Sequence, residues 1–233
     1  MRGYGVSFDV WGTLLNLRDA YRAIAERIAE ELAGAKVEEV YLKLKEAAEE
    51  ARRSRLSEGW WDARRGAELV ASKLGFRVSE FVTLVEDALL ADPGRLLLPG
   101  ARDALEGIAR LRVPRCVLGN VLFWPSSLTR KILSEVGLAE LLDCMVFSDE
   151  IGSSKPAREA FEAVAERMGI PVERLVHVGD RVDEDVAGVL LAGGYGVLAW
   201  ADISVDFECI HRRLCAVRRV SYTPFIVARI VLG

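Results

Sequence analysis

The apolar positions of this chain follow two different periods. Residues 3–8 form a run that stops abruptly at Asp9, the pattern of a strand buried in a parallel sheet. Gly12 then permits a sharp turn that a side chain would hinder. Residues 17–91 change character. Tyr21, Ile24, Ala25, Ile28 and Leu32 recur at helical spacing, and so do Val37, Val40, Tyr41, Leu44, Ala48 and Ala51, with Gly34 as the break between them. A third run, Ala63, Ala67, Val70 and Leu74, stops at Gly75. A fourth, Phe81, Val82, Val85, Ala88 and Leu89, stops at Asp92-Pro93-Gly94. Four amphipathic helices and no strand are predicted here, as in an inserted helical bundle.

From residue 96 short apolar runs alternate with helical ones. Strands are predicted at 113–118, 144–147, 175–178 and 195–200, and helices at 101–111, 127–136, 156–168 and 183–192. Pro156 stands where a first helical position tolerates proline. Residues 217–220 read as a last strand and 224–232 as a closing helix. The alternation implies an α/β fold, a parallel sheet with right-handed crossovers and helices on both faces. The expected division is residues 1–15 and 92–233 as the α/β core and 16–91 as an all-helical lobe.

Composition narrows the class. The 233 residues are half hydrophobic and rich in charge, which is globular rather than disordered or fibrous. A formal net charge of −4 gives no long-range attraction to nucleic acid or an anionic membrane, so neither is expected as a partner. No apolar run reaches the length of a membrane span, and the first strand begins too early for a signal peptide, so a cytoplasmic location is expected. Cys116, Cys144, Cys209 and Cys215 show no CxxC spacing. Cys116 and Cys144 read as buried free thiols, while Cys209 and Cys215 are close enough to leave a disulfide open. Gln is absent and Asn occurs only as Asn16 and Asn120, a bias that fits a thermophile.

Three predicted strand ends carry polar signals: Asp9, Gly119-Asn120 and Gly179-Asp180. Lys155 follows a fourth. In a parallel sheet these ends share one edge, the edge at which open α/β sheets bind ligands. Singly, each has a plain structural explanation as a turn or helix cap or a solvated lysine. Jointly they point to one site.

Asp9, Gly12 and Thr13 resemble motif I of the haloacid dehalogenase-like (HAD) superfamily. Gly152-Ser153-Ser154-Lys155-Pro156 with Phe161 resembles its motif III, with the lysine at Lys155. Val178-Gly179-Asp180-Arg181-Val182-Asp183-Glu184-Asp185 resembles motif IV, with its acids at Asp180 and Asp185. The helical insertion resembles the family's helical cap, and the likeness covers nearly the whole chain. It implies a Rossmann-like core with the Asp9 strand central, and a hydrolase acting on a small phosphorylated molecule. Asp9 is then the nucleophile that forms an aspartyl-phosphate, a step that splits hydrolysis in two. Mg²⁺ would be held by Asp9, the Trp11 backbone carbonyl and Asp180, with Asp185 close by. Lys155 would neutralise Asp9 and a phosphate oxygen. Thr13, Gly119, Asn120 and Lys155 would form the phosphate site, with backbone N–H groups around Val10 and Asn120 as the cradle. A monomer or homodimer is expected.

Two positions depart from the family pattern. Trp11 replaces the second motif I aspartate, the general acid and base of the family's phosphatases. Gly119 replaces the motif II Ser or Thr, for which Ser126 or Ser127 could substitute, although helix capping explains both. Loss of a general acid/base costs ~10²–10⁴-fold. An aromatic residue at position 11 is similar to the metal-independent dehalogenase branch, which is one alternative; a weakly active or non-catalytic binder of phosphorylated ligands is another. Trp60, Trp61, Arg64 and Arg65 form an aromatic-basic cluster in the lobe, read as packing anchors and a solvated face ahead of a substrate-selecting surface. His177 is expected as a packed strand residue, and His211 has no partner that sequence can name.

Overall fold

The computed structural model describes residues 3–232. Strands β1 (Gly5–Phe8), β2 (Arg115–Gly119), β3 (Cys144–Phe147), β4 (Leu175–Gly179), β5 (Tyr195–Leu198), β6 (Phe207–His211) and β7 (Leu214–Val217) form one sheet in the order β3-β2-β1-β4-β5-β7-β6. Every pairing is parallel except β6 with β7. Asp9 therefore leaves the sheet between β2 and β4. Phe8 is level with Val117 and Val178, so Asp9, Asn120 and Asp180 emerge at the same edge.

The pleat sends alternate residues to opposite faces. Val6, Phe8, Val117, Val176 and Val178 pack on one side with α5 (Ala101–Arg110) and α10 (Thr223–Leu232). Cys116, Leu118 and Leu175 pack on the other with α8 (Arg158–Arg167) and α9 (Ala187–Leu191). Both faces are covered, as a parallel sheet requires.

Between β1 and the first core helix run α1 (Leu17–Glu31), α2 (Val37–Glu58), α3 (Ala63–Leu74) and α4 (Val78–Ala91), with no strand among them. Asn16 caps α1 by accepting the Arg18 and Asp19 amides, and Asp62 caps α3 in the same way, so the helices begin where side-chain acceptors satisfy free N–H groups. The apolar stripe of α1, Ile24, Ala25 and Ile28, is buried within the same continuous core as Leu44 and Ala51 of α2 and Phe81 and Leu89 of α4. At Gly66 of α3 a Cβ would collide with the Leu122 carbonyl, so the helix seats directly on the backbone that follows β2. Helices α6 (Ser126–Glu135) and α7 (Ser148–Ile151) complete the set. None of the described helices is long and apolar enough to cross a membrane.

The structure corrects several expectations. The last strand is 214–217 rather than 217–220, and β6 was not anticipated: as an edge strand it is half solvated and lacks the apolar run of an interior one. Cys116 and Cys144 are not free thiols. They are register partners on β2 and β3, 4.6 Å apart at Cα, and form a disulfide. Cys209 and Cys215 pair across the β6–β7 hairpin. Pro156 does not open α8: its peptide bond to Lys155 is cis, and the helix starts at Arg158. The helix expected at 183–192 divides into a wide π-type turn, Val182–Val186, and α9, because the amides of Asp185 and Val186 both donate to the Arg181 carbonyl.

Candidate functional site

Asp9 follows directly from β1, its amide donating to Val178 O at 2.8 Å. Gly12 makes the next turn with φ +103°, and a Cβ there would overlap the Asp180 carboxylate. Its lack of a side chain serves both the turn and the approach of Asp180 to Asp9. Gly179 plays the same part for Asp185, whose side chain occupies the space a Cβ at 179 would take. The π-type turn carries Asp185 back over the end of β4, where its Oδ2 accepts the Arg181 amide at 3.0 Å.

Lys155 joins these carboxylates. Its ammonium donates to Asp9 Oδ1 and to Asp185 Oδ1, each at 2.7 Å, and the side chain is 1% exposed. Asp185 Oδ1 also meets His177 Nε2 at 3.2 Å, and His177 Nδ1 lies 2.7 Å from Ser7 Oγ. A carboxylate only accepts, so Nε2 carries the proton and Nδ1 accepts from the Ser7 hydroxyl. Burial, reinforced by Lys155, pushes the imidazole down to about 4, which keeps it neutral. Burial works to raise Asp185, but Lys155 and His177 outweigh it and hold that carboxyl well below the usual range. Lys155 stays charged for the converse reason: burial opposes its charge, and Asp185 and Asp9 more than compensate.

Asp9 and Asp180 are perturbed the other way. Burial pushes Asp9 up to about 7 against the pull of Lys155, with the charges of Asp185 and Asp180 adding to the rise. Burial and the Asp185 carboxylate push Asp180 up to about 6. Ligand-capable oxygens of Asp9, Asp180 and Asp185 lie within 4.8 Å of one another. Three hard oxygen donors in this proximity, two of them reluctant to ionise without more positive charge, fit a small divalent cation. Asp185 already spends its oxygens on Lys155, His177 and the Arg181 amide, so Asp9 and Asp180 are the carboxylates free to ligate.

A cavity of about 320 Å³ opens above them, lined by Asp9, Trp11, Asn120, Lys155, Asp180 and Asp185 among others. Thr13 and Gly119 are not on its wall. The buried Thr13 hydroxyl has no partner, and Gly119 is packed under Phe147, whose ring carbon a Cβ would meet at 2.8 Å. A serine or threonine at 119 therefore has no room unless Phe147 moves. Asn120 is engaged as a clamp. Its Nδ2 donates to Lys155 O at 2.9 Å and to Glu184 at 2.7 Å, and its Oδ1 accepts the Lys155 amide at 2.9 Å. The Ser126 amide donates to Asp149 and its hydroxyl to Glu150, so it does not replace the missing hydroxyl.

The cap cluster divides as packing dictates. Trp60 is buried with its Nε1 on Ser54 Oγ, while Arg64 and Arg65 are exposed and paired with Glu68 and Glu58. None of the four lines the cavity. The arginines that do are Arg52 and Arg55 of α2 and Arg181 after β4. Arg52 pairs with Glu49, Asp183 and Glu184, and Arg55, 4% exposed, pairs with Glu184 and donates to Val121 O at 3.0 Å. Sequence reasoning passed over them, although Arg55 continues the buried phase Leu44, Ala48, Ala51 at spacings of four, three and four. An arginine in an apolar helical stripe was the signal. Tyr21, Leu122 and Trp124, also on the cavity wall, were read as core or not at all.

This geometry accords with comparison to known proteins. The profile of the haloacid dehalogenase-like hydrolases matches residues 5–193, and the chain belongs to that family. It is accordingly a hydrolase. Glyceraldehyde 3-phosphate phosphatase from Methanothermobacter thermautotrophicus is 36% identical over 72 residues, 31% of this chain and 32% of that protein. The chain thus matches about a third of the length of this curated relative. Among solved structures, the HAD-hydrolase YfnB from Bacillus subtilis bound to magnesium superposes with a TM-score of 0.74 at 20% identity over 97% of this chain and 99% of that one. L-2-haloacid dehalogenase from Xanthobacter autotrophicus gives 0.73 at 16% over 97% and 98%. At these identities the structural likeness speaks for the fold.

Proposed function

We propose that this hydrolase is a Mg²⁺-dependent phosphatase of a small phosphorylated molecule, working through an aspartyl-phosphate on Asp9. The observation that carries the reading is the pair of raised carboxyls, Asp9 and Asp180, at one sheet edge with Lys155 2.7 Å from Asp9. A haloacid displacement needs Asp9 ionised without a cation, whereas here a second carboxyl stands beside it and both resist ionisation. The phosphatase names of the curated relatives and the magnesium in YfnB favour the same reading.

Asp9 and Asp180, with the Trp11 carbonyl, would hold the ion, and Asp185 would support them. Bound there, Mg²⁺ supplies positive charge that screens Asp9 from the phosphate. Asp9 attacks phosphorus and the ester oxygen departs with its electron pair. Lys155 orients the Asp9 carboxylate and neutralises an equatorial oxygen, a matter of positioning and charge rather than covalent chemistry. Backbone N–H groups after Asp9 and at Asn120 cradle the phosphate, since the Asn120 side chain is committed elsewhere. Water then cleaves the aspartyl-phosphate. Residues 16–91 act as a cap over the core formed by 1–15 and 92–233, and exclude bulk water from the cavity. The protein is placed as a monomer or homodimer in the cytoplasm of a thermophile; the absence of Gln and the two disulfides are in keeping with a thermophile.

Phosphate release from acetyl phosphate and halide release from 2-chloropropionate, each with and without Mg²⁺, test this. Mg²⁺-dependent phosphate release that is lost in Asp9→Asn is expected. Halide release without metal would instead establish dehalogenation.

A further inference from the structure

We propose that the preferred substrate is an aryl phosphate, in which the phosphoryl group is esterified to a phenolic oxygen. The inference rests on the phosphatase reading and names the substrate class of the same site. Three observations carry it.

The first is the character of the cavity. Beside Asp9, one wall is Trp11, Leu17, Tyr21, Leu122 and Trp124. Trp11 and Trp124 meet edge to face at a centroid distance of 5.1 Å, and Tyr21 meets Trp124 at 6.3 Å. Both indole N–H groups donate to the single hydroxyl of Thr129, each at 3.2 Å. Their polar atoms are thereby spent, and the rings are held as carbon surface. A preformed aromatic wall of this kind takes a flat ring in offset or edge-to-face contact.

The second is the charged part of the lining. Arg52 and Arg55 are already neutralised by Glu49, Asp183 and Glu184. These two guanidinium groups are therefore not left unpaired to recruit an anionic leaving group.

The third is chemical. Trp11, on the cavity wall beside Asp9, has its one N–H committed to Thr129 and so offers no proton to a leaving oxygen. A leaving group that departs as a stable anion makes no call on Trp11 for a proton. Asp9 attacks, the phosphorus–oxygen bond breaks, and a phenolate leaves with the electron pair, needing no proton. Water then attacks phosphorus, the bond to Asp9 breaks, and the water's protons pass to phosphate and solvent.

The test separates ring recognition from leaving-group ability. Phenyl phosphate is compared with the phosphate of a fluorinated alkyl alcohol about as acidic as phenol, with a pKa near ~10. Acetyl phosphate, which has no ring and a carboxylate leaving group, reports the Asp9 chemistry alone. The expected result is Mg²⁺-dependent turnover of acetyl phosphate and about a tenfold or greater preference in kcat/KM for phenyl over fluoroalkyl phosphate. Phenylphosphonate, which is not hydrolysed, should bind about tenfold tighter than ethylphosphonate by calorimetry. Trp124→Leu should erase both preferences; if that variant does not fold, the substrate and phosphonate pairs decide on the native protein. Equal kcat/KM for the two esters, or equal phosphonate affinities, overturns the inference and leaves the phosphatase reading intact. Absence of turnover of acetyl phosphate overturns the phosphatase reading, and this inference with it.

Discussion

Arg55 of α2 is ion-paired to Glu184 in the turn after β4, and each side chain is only 4% exposed. The pair ties the helical lobe to the sheet edge that carries Asp9, and Asn120 Nδ2 donates to the same Glu184 carboxylate. One buried acid thus connects helix α2, the end of β2 and the turn after β4. Removing either partner leaves a charge buried without compensation, which costs roughly 3–5 kcal/mol. Glu184→Gln should lower stability by about 3 kcal/mol in urea denaturation. It should also raise amide exchange in α2 above that in β1. The double variant Arg55→Met/Glu184→Leu, which removes both charges, should recover most of the loss.

Mg²⁺ binding should depend on pH. Protons occupy Asp9 and Asp180 up to about 7 and about 6 when no cation is present, so affinity should rise as pH increases from 5 to 7, with proton release on binding. Calorimetry in two buffers of different ionisation enthalpy measures both. Affinity that is flat across this range would show that these carboxyls are not the ligands. Asp180→Ala should abolish binding.

His177 is neutral when folded and would be charged when unfolded at moderately acid pH. Its folded pKa of about 4 lies below the ordinary ~6.5, so the unfolded chain binds the extra proton between those values. Its contribution is fully present above the unfolded value and is lost as pH falls through 6.5 towards 4. Asp9 and Asp180 act oppositely, since their raised values mean the folded chain holds protons that the unfolded chain has released; stability from them falls as pH rises from about 4 to about 7 and about 6. Saturating Mg²⁺ should suppress the carboxylate part. Comparing native protein and His177→Asn by thermal melts at pH 4.5 and 7 with Mg²⁺ isolates the histidine. The native protein should lose on the order of a few kcal/mol more than the variant on acidification.

The Cys116–Cys144 disulfide closes a loop with a sequence separation of 28 between two adjacent parallel strands. In the chain-entropy picture such a loop contributes about 3.5 kcal/mol. Cys116→Ala/Cys144→Ala should lower stability by that order in guanidinium unfolding. Cys209→Ala/Cys215→Ala should cost less, because its sequence separation is only 6.

Trp11→Asp should restore a proton donor near the leaving oxygen. Turnover of alkyl phosphates such as sugar phosphates should rise relative to phenyl phosphate, by up to ~10²-fold. The variant also gives up the Thr129 hydrogen bond and the Trp124 contact, so a lower melting temperature should accompany the gain. Native protein that already cleaves sugar phosphates as fast as phenyl phosphate would show that another group supplies the proton.

Period and punctuation in the sequence were enough to determine the helical lobe and the parallel part of the sheet, though not the β6–β7 hairpin. A 3.6-residue repeat over 17–91, short apolar runs beyond residue 96, and polar residues closing the runs at Asp9, Asn120 and Asp180 reflect local rules that each segment obeys alone. Gathering those strand ends at one edge follows from parallel topology, so the joint placement of Asp9, Lys155, Asp180 and Asp185 was legible too. Other features were decided only by tertiary structure, because they depend on which residues meet across the fold. The Cys116–Cys144 bond needs the register of β2 on β3. Thr13 and Gly119 left the cavity wall because the first is buried in the core and the second is packed beneath Phe147. Asn120 became a clamp because Glu184 reached it. Arg55, at a position of the α2 stripe, is the buried partner of Glu184, since a helix stripe shows that a position faces inward and only the opposing element supplies its counter-charge.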